Sequence, residues 1–515
     1  MRMFIWFCTC VIALLGPMSA APAAAPTGHN VATAPAVIVT HDLSVAQLRE
    51  DFQRLRFSLE HAHPAPSRYT PKAEIDGQLN AIERQLNRPM TDLAFYRMLA
   101  PLIAAIRNSH TSIVAPPDAL ASMHASHDAF PFVLRFVDGR AFIDVNLSAD
   151  ATIRPGMELV ELNGRPLAVT TRTLMAARSA EGFVEVAKYA QLDRAFSLDL
   201  LLQIGPSARY VVTVRDPASG HASRHDVAGV SLAAVVARTP QFPATAGPPQ
   251  SITLECANDL ALMRLQNFLE PDTDAFFRQA FHQIAGCGVG NLIIDIRGNH
   301  GGIDWFNSDL LSYLSDRPFR FYRNRTCVAR SYDDLRYLSY KLDDFLFPDQ
   351  IAALPASVRA HPFDHWTLPQ LIDLALSTDH AGGMQTPKAK DHFSGRVYLL
   401  VDGNSGSSAS EVPALMHHLG LATIIGEEPN GSYQGEVAGF IPDLTLPNSK
   451  IVIRMPLIAY QSDVMPGVRN GRAAEPTFTV SESVSDSVSG IDTVMAFTRA
   501  LIRSRTTGMV SATRP

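Results

Sequence analysis

Residues 397–420 read VYLLVDGNSGSSASEVPALMHHLG. Val397 to Val401 is an apolar, β-favouring run that predicts a buried strand. A turn of small residues follows, then a helix from about Ala409 whose apolar face is Val412, Leu415, Met416 and Leu419. Gly420 stands where a helix end takes a left-handed residue, and Pro413 is expected in the first turn, where a missing N–H is tolerated. Residues 291–302, NLIIDIRGNHGG, repeat the theme as a buried strand running into glycines. Leu260 to Leu265 and Ala422 to Ile425 add strands, and Asp272 to Ile284 adds a helix. Strands alternating with helices predict an α/β core from about 250 to 505.

Working outward, Ser44 is a candidate N-cap. Val45, Leu48, Phe52, Leu55 and Leu59 behind it recur at helical spacing. A second helix begins near Thr91, carries Phe95, Leu99, Leu102 and Ile106, and should end around Arg107–Asn108. That leaves Ser109 and His110 in the turn just beyond. These elements make an N-terminal helical segment, 41–120. Between 121 and 240 short alternating stretches broken by Asp-Gly and Asn-Gly turns predict a β-rich module, closed by a Pro/Gly-rich linker over 239–249. A polar and aromatic insertion occupies about 320–390, and 506–515 is a tail.

Lys+Arg is 44 and Asp+Glu 50, a formal charge of −6, with 18% charged and 46% hydrophobic residues. That balance is globular, and it offers no basic surplus for nucleic acid. Arg2, the apolar run Phe4 to Leu15 and Ala21-Pro22-Ala23 have the layout of a signal peptide over 1–23, followed by a linker over 24–40. The run is too short to span a bilayer. The expectation is an exported mature chain, periplasmic or extracellular, with no membrane span. Removing the signal leaves Cys256, Cys287 and Cys327, hence at most one disulfide. A Cys256–Cys287 bridge and three free thiols both remain open.

Two segments carry candidate chemistry. A serine in the 405–410 turn sits at a helix N-terminus, where unpaired N–H groups favour developing negative charge; simple capping is the alternative. The glycines after Asp295 bring backbone close to a neighbour and offer N–H donors, or merely form a turn. His61-x-His63, His124-x-x-His127 and His417-His418 lack metal-site spacing, so neither metal nor cofactor is expected. No G-x-S-x-G elbow is present.

Asp295-Ile-Arg297-Gly298-Asn299-His300-Gly301-Gly302, Ser407-Ser408-Ala409-Ser410-Glu411 before a helix, and Gly426-Glu427 together resemble the tail-specific, or C-terminal-processing, serine peptidases. Asn108-Ser109-His110-Thr111 is similar to a further segment of that family, and 435–440 to the strand pair after its nucleophile. The likeness runs over about 41 to 500. It implies a ClpP/crotonase-like catalytic core, a PDZ-like β-rich module around Pro155-Gly156 and Leu162-Asn163-Gly164, and peptide or protein substrates. It also implies Ser408 as nucleophile, three residues before Glu411, with Ala409 and Gly301 or Gly302 as oxyanion donors and Ser410 and Glu411 in support. The family's lysine has no counterpart in Gly431-Ser432-Tyr433-Gln434-Gly435. Only six lysines exist in the chain, and Lys450 beside a hairpin turn is a surface charge. The tricorn-like branch points instead to His110 as base, beside Ser109. The group orienting His110 is open among Glu411, Glu427, Glu428 and Glu436, since Asn470 stands where that branch has its acid. A non-catalytic binder with a degenerate site and an esterase-like acyl hydrolase are the competing expectations. Oligomeric state has no signal here.

Overall fold

The computed structural model describes residues 37–239, 248–269, 273–346, 348–377, 383–465 and 470–506. The expected signal peptide, most of the first linker, part of the second and most of the tail lie outside them.

The core is a six-stranded sheet in the order Gln250–Glu255, Leu260–Leu265, Asn291–Asp295, Arg396–Val401, Ala422–Gly426, Phe478–Thr479. Its first pair is antiparallel and the rest parallel. Both faces are covered, which is why the strands read as unbroken apolar runs. Leu292, Ile294 and Leu399 pack with Phe277, Phe281, Phe306, Leu415 and Met416. Ile293, Tyr398, Leu400 and Ile425 face Val494 and Ile502 of the helix Thr493–Thr506. Strands Asn291–Asp295 and Arg396–Val401 are neighbours, Asp295 opposite Leu400. The glycine turn after one and the serine turn after the other therefore emerge side by side, at the carboxyl ends where α/β sheets place their sites. The serine turn leads into helix Ser408–Leu419, which Gly420 ends at φ 70°. Pro413 is its sixth residue, so it lies past the first turn where the sequence reading put it.

The N-terminal segment behaves as its pattern dictates. Ser44 caps helix Val45–His61 in a reciprocal box with Gln47, and Leu48, Phe52, Leu55 and Leu59 are buried. Thr91 caps helix Asp92–Ala105. What ties this segment to the core is strand Ser112–Val114, which pairs with Val452–Arg454 of the hairpin 443–454. Buried Asp51 completes the joint by accepting the Asn448 and Ser449 N–H groups at 3.0 and 2.8 Å.

The β-rich region forms its own antiparallel sheet, Phe132–Val137 at one edge and Ala222–Ala228 at the other, around a separate apolar cluster. Helix Glu185–Gln203 lies against that first edge: Asp193 accepts the Phe136 N–H at 2.7 Å, and Ser197 Oγ donates to the Phe130 carbonyl at 2.9 Å. Cys256 and Cys287 form a disulfide, and Cys327 is a half-buried thiol.

Candidate active site

His110 and Ser407 meet although 297 positions separate them, with 3.0 Å between His110 Nε2 and Ser407 Oγ. The docked strand Ser112–Val114 begins two residues after His110 and fixes where the ring goes. Ser407 is the residue before the helix, at φ 53° and ψ −139°. For a non-glycine residue this backbone costs about 1–3 kcal/mol. Its hydroxyl makes no capping bond to the helix, so capping is not what holds it there. Gly301 presses on the same point. A Cβ there would lie 2.7 Å from Ser407 Cβ and 2.9 Å from Ser408 N, and its φ is +89°, so the position admits only glycine.

Each remaining serine of the turn has another partner. Ser405 Oγ donates to the Ile296 carbonyl. Ser410 Oγ contacts the Ser407 carbonyl and Glu436 Oε1. Ser408, the expected nucleophile, does not face the imidazole: its Oγ accepts the Gly302 N–H at 2.9 Å. The expected donors shift by one residue with it. Ala409 N–H is spent on the Gly406 carbonyl and Gly301 N–H on Asn299 Oδ1, whereas Ser408 N–H, as the first amide of the helix, has no intrahelical acceptor. Glu411 accepts from Tyr322 OH at 2.5 Å.

Behind His110 stand two buried carboxylates. Ser109 Oγ lies 3.1 Å from His110 Nδ1 and donates to Glu181 Oε2 at 3.2 Å. Glu181 also accepts Ser109 N–H at 3.0 Å, Asn108 Nδ2 at 3.0 Å and Tyr69 OH at 2.9 Å. Glu436, one of the four open candidates, has its Oε2 3.7 Å from His110 Nδ1. That oxygen has no hydrogen-bond partner among the described residues. Glu181 was missed in the sequence. It comes from the loop between two helices of the β-rich region, and its only local signal is an acid among apolar neighbours, Ala180 and Phe183. The loop is clamped from both sides: Gly182 N–H donates to the Arg107 carbonyl and Phe183 N–H to the Gly471 carbonyl.

Burial pushes the His110 imidazole down to about 4, a contact with the Val437 backbone opposing. Burial also raises both carboxyls. For Glu181 the Ser109 N–H opposes the rise; for Glu436 the Glu181 charge adds to it. Ligating atoms of His110, Glu181 and Glu436 lie within 4.8 Å of one another, so two negative charges there repel strongly and one proton between them relieves it.

A hydroxyl at a helix N-terminus, an imidazole on it and a carboxylate behind are the groups that serine-type acyl transfer uses. Residues 259–461 match the model of Peptidase family S41. No curated protein matches by sequence. Among solved structures, mature CPAF aligns with TM-score 0.59 over 89% of this chain and 98% of that one, at 16% identity. Mature CPAF complexed with lactacystin gives 0.58, over 89% and 99%, at 15% identity. The photosystem II D1 C-terminal processing protease gives 0.37, over 85% and 93%, at 13%. At these identities the CPAF likeness is one of fold, the mixed α/β fold of S41 proteases.

Proposed function

We propose that the chain is an exported serine endopeptidase that cleaves peptide bonds through an acyl-enzyme on Ser407, with His110 as general base. The 3.0 Å approach of His110 Nε2 to a strained, uncapping Ser407 carries the reading. Proton positions follow from the acceptor at the end of the chain. An ionised Glu181 only accepts, so Ser109 O–H donates to it and accepts from His110 Nδ1–H. Nε2 is then the lone-pair nitrogen and takes the Ser407 proton. Ser407 Oγ bonds to the carbonyl carbon, the imidazolium returns the proton to the leaving amine, and water repeats the sequence to release the acid. Ser408 N–H and Gly302 N–H receive the oxyanion, the carbonyl oxygen displacing Ser408 Oγ from Gly302.

The proposed architecture is a ClpP/crotonase-like core with the PDZ-like module acting as a brace. The Asp193–Phe136 contact on its edge strand and the delivery of Glu181 support a brace rather than a peptide clamp. Export rests on Arg2, Phe4 to Leu15 and Ala21-Pro22-Ala23.

Fluorophosphonate labelling with mass-spectrometric mapping tests this. The expected adduct is on Ser407, absent from Ser407→Ala and retained in Ser408→Ala. An adduct on Ser408 overturns the assignment, and no adduct on folded wild type leaves the degenerate binder standing.

A further inference from the structure

One buried titratable ring plays no part in the steps above. His63 is 2% exposed and lies just past helix Val45–His61. Its Nδ1 accepts the Ala65 N–H at 3.2 Å, and its Nε2 is 2.8 Å from Thr111 Oγ1. A ring whose Nδ1 accepts from backbone carries its proton on Nε2. Burial pushes His63 down to about 3, so it stays neutral at working pH. Nε2–H therefore donates to Thr111, whose own proton goes to Asn108 Oδ1 at 2.7 Å. That leaves both hydrogens of Asn108 Nδ2 for Glu181 Oε2 at 3.0 Å and the Val437 carbonyl at 2.9 Å. Thr111, Asn108 and Glu181 are all buried.

We propose that His63 is a positioning residue for the catalytic centre: through Thr111 it fixes the Asn108 amide with its nitrogen toward Glu181. This rests on reading Glu181 as the ionised partner of the Ser109–His110 relay. A carboxamide has two orientations of almost the same shape. The flipped one would aim Oδ1 at a carboxylate and a carbonyl, and would leave the Thr111 proton without an acceptor. A threonine hydroxyl alone can donate or accept, so it does not choose between them. A histidine N–H on its far side makes it an acceptor there and a donor to Asn108, and the amide is then held one way. The same amide reaches Val437, next to Glu436, and so braces both carboxylate-bearing segments.

Full-length protein carrying His63→Leu, Thr111→Val, both together, or His63→Gln is assayed for peptide cleavage, with melting temperature as the check on folding. The two single variants are expected to lower kcat roughly tenfold to thirtyfold with KM within about twofold, as for groups that act through another. The double variant should be no worse than either single, because one chain is broken twice. His63→Gln keeps a donor and should recover most of the rate. Wild-type kcat in folded His63→Leu, losses that multiply in the double, a Gln variant as poor as Leu, or losses that only track unfolded protein each overturn the proposal. Glu181→Gln in the same assay separates the layers. Full activity there removes the relay itself, whereas an inactive Glu181→Gln beside an active His63→Leu removes only the role of His63.

Discussion

Segments 180–184 and 432–438 each push a buried glutamate toward the same imidazole, and the surroundings give them opposite assignments. Glu181 receives four donors, from Tyr69, Asn108 and the amide and hydroxyl of Ser109. Glu436 has only the Ser410 hydroxyl and the Ser432 backbone N–H acting on it, and its Oε2 makes no hydrogen bond among the described residues. Hydrogen bonds to the ionised form favour ionisation, and burial beside a like charge opposes it. Glu181 is thus the anion and Glu436 the neutral acid. The lesson is that proximity to a base does not define its partner; the donor count does.

The largest test of that contrast is Glu181→Gln. It should lower kcat about 10³- to 10⁴-fold, as loss of the carboxylate behind a catalytic histidine does elsewhere, measured by steady-state peptide cleavage. Ser109→Ala interrupts the same line without removing the charge, and a loss of about 10²-fold in kcat is expected. In pH, the base works only when neutral, so kcat/KM should hold as the pH falls through 6.5 and drop near 4, following His110. A limb at 6.5 would mean that the imidazole is solvated in the free enzyme. Tyr69→Phe removes one of four donors, worth about 1 kcal/mol or severalfold in rate. Glu436→Gln replaces a neutral acid by a neutral amide and should change kcat less than about threefold. If instead it matches Glu181→Gln, the two assignments are reversed.

Much of the scaffold is written in local pattern. The apolar runs 291–295 and 397–401, the caps Ser44 and Thr91 and the glycines at 301 and 302 each respond to near neighbours in sequence, and the structure follows them. The position of His110 just past a packed helix was legible as well. Choosing among four serines was not, because it turns on where the helix begins and on one backbone angle. A shift of a single residue exchanges the hydroxyl facing His110 for the one facing Gly302. Glu181 was invisible for another reason: its partners lie 72 and more positions before it, and nothing in Ser179-Ala180-Glu181-Gly182 announces a contact with Ser109. Glu411, expected in support, accepts from Tyr322 OH, a partner 89 positions earlier that the local sequence does not announce.

The pairing of Ser112–Val114 with Val452–Arg454 sets a timetable for the polypeptide. Every group assigned to the chemistry has been synthesised well before residue 452, yet the histidine has no track to dock on until that late hairpin exists. A stalled or truncated product would carry all the reactive parts and no assembled machine, so hydrolytic competence arrives only once the fold is nearly finished.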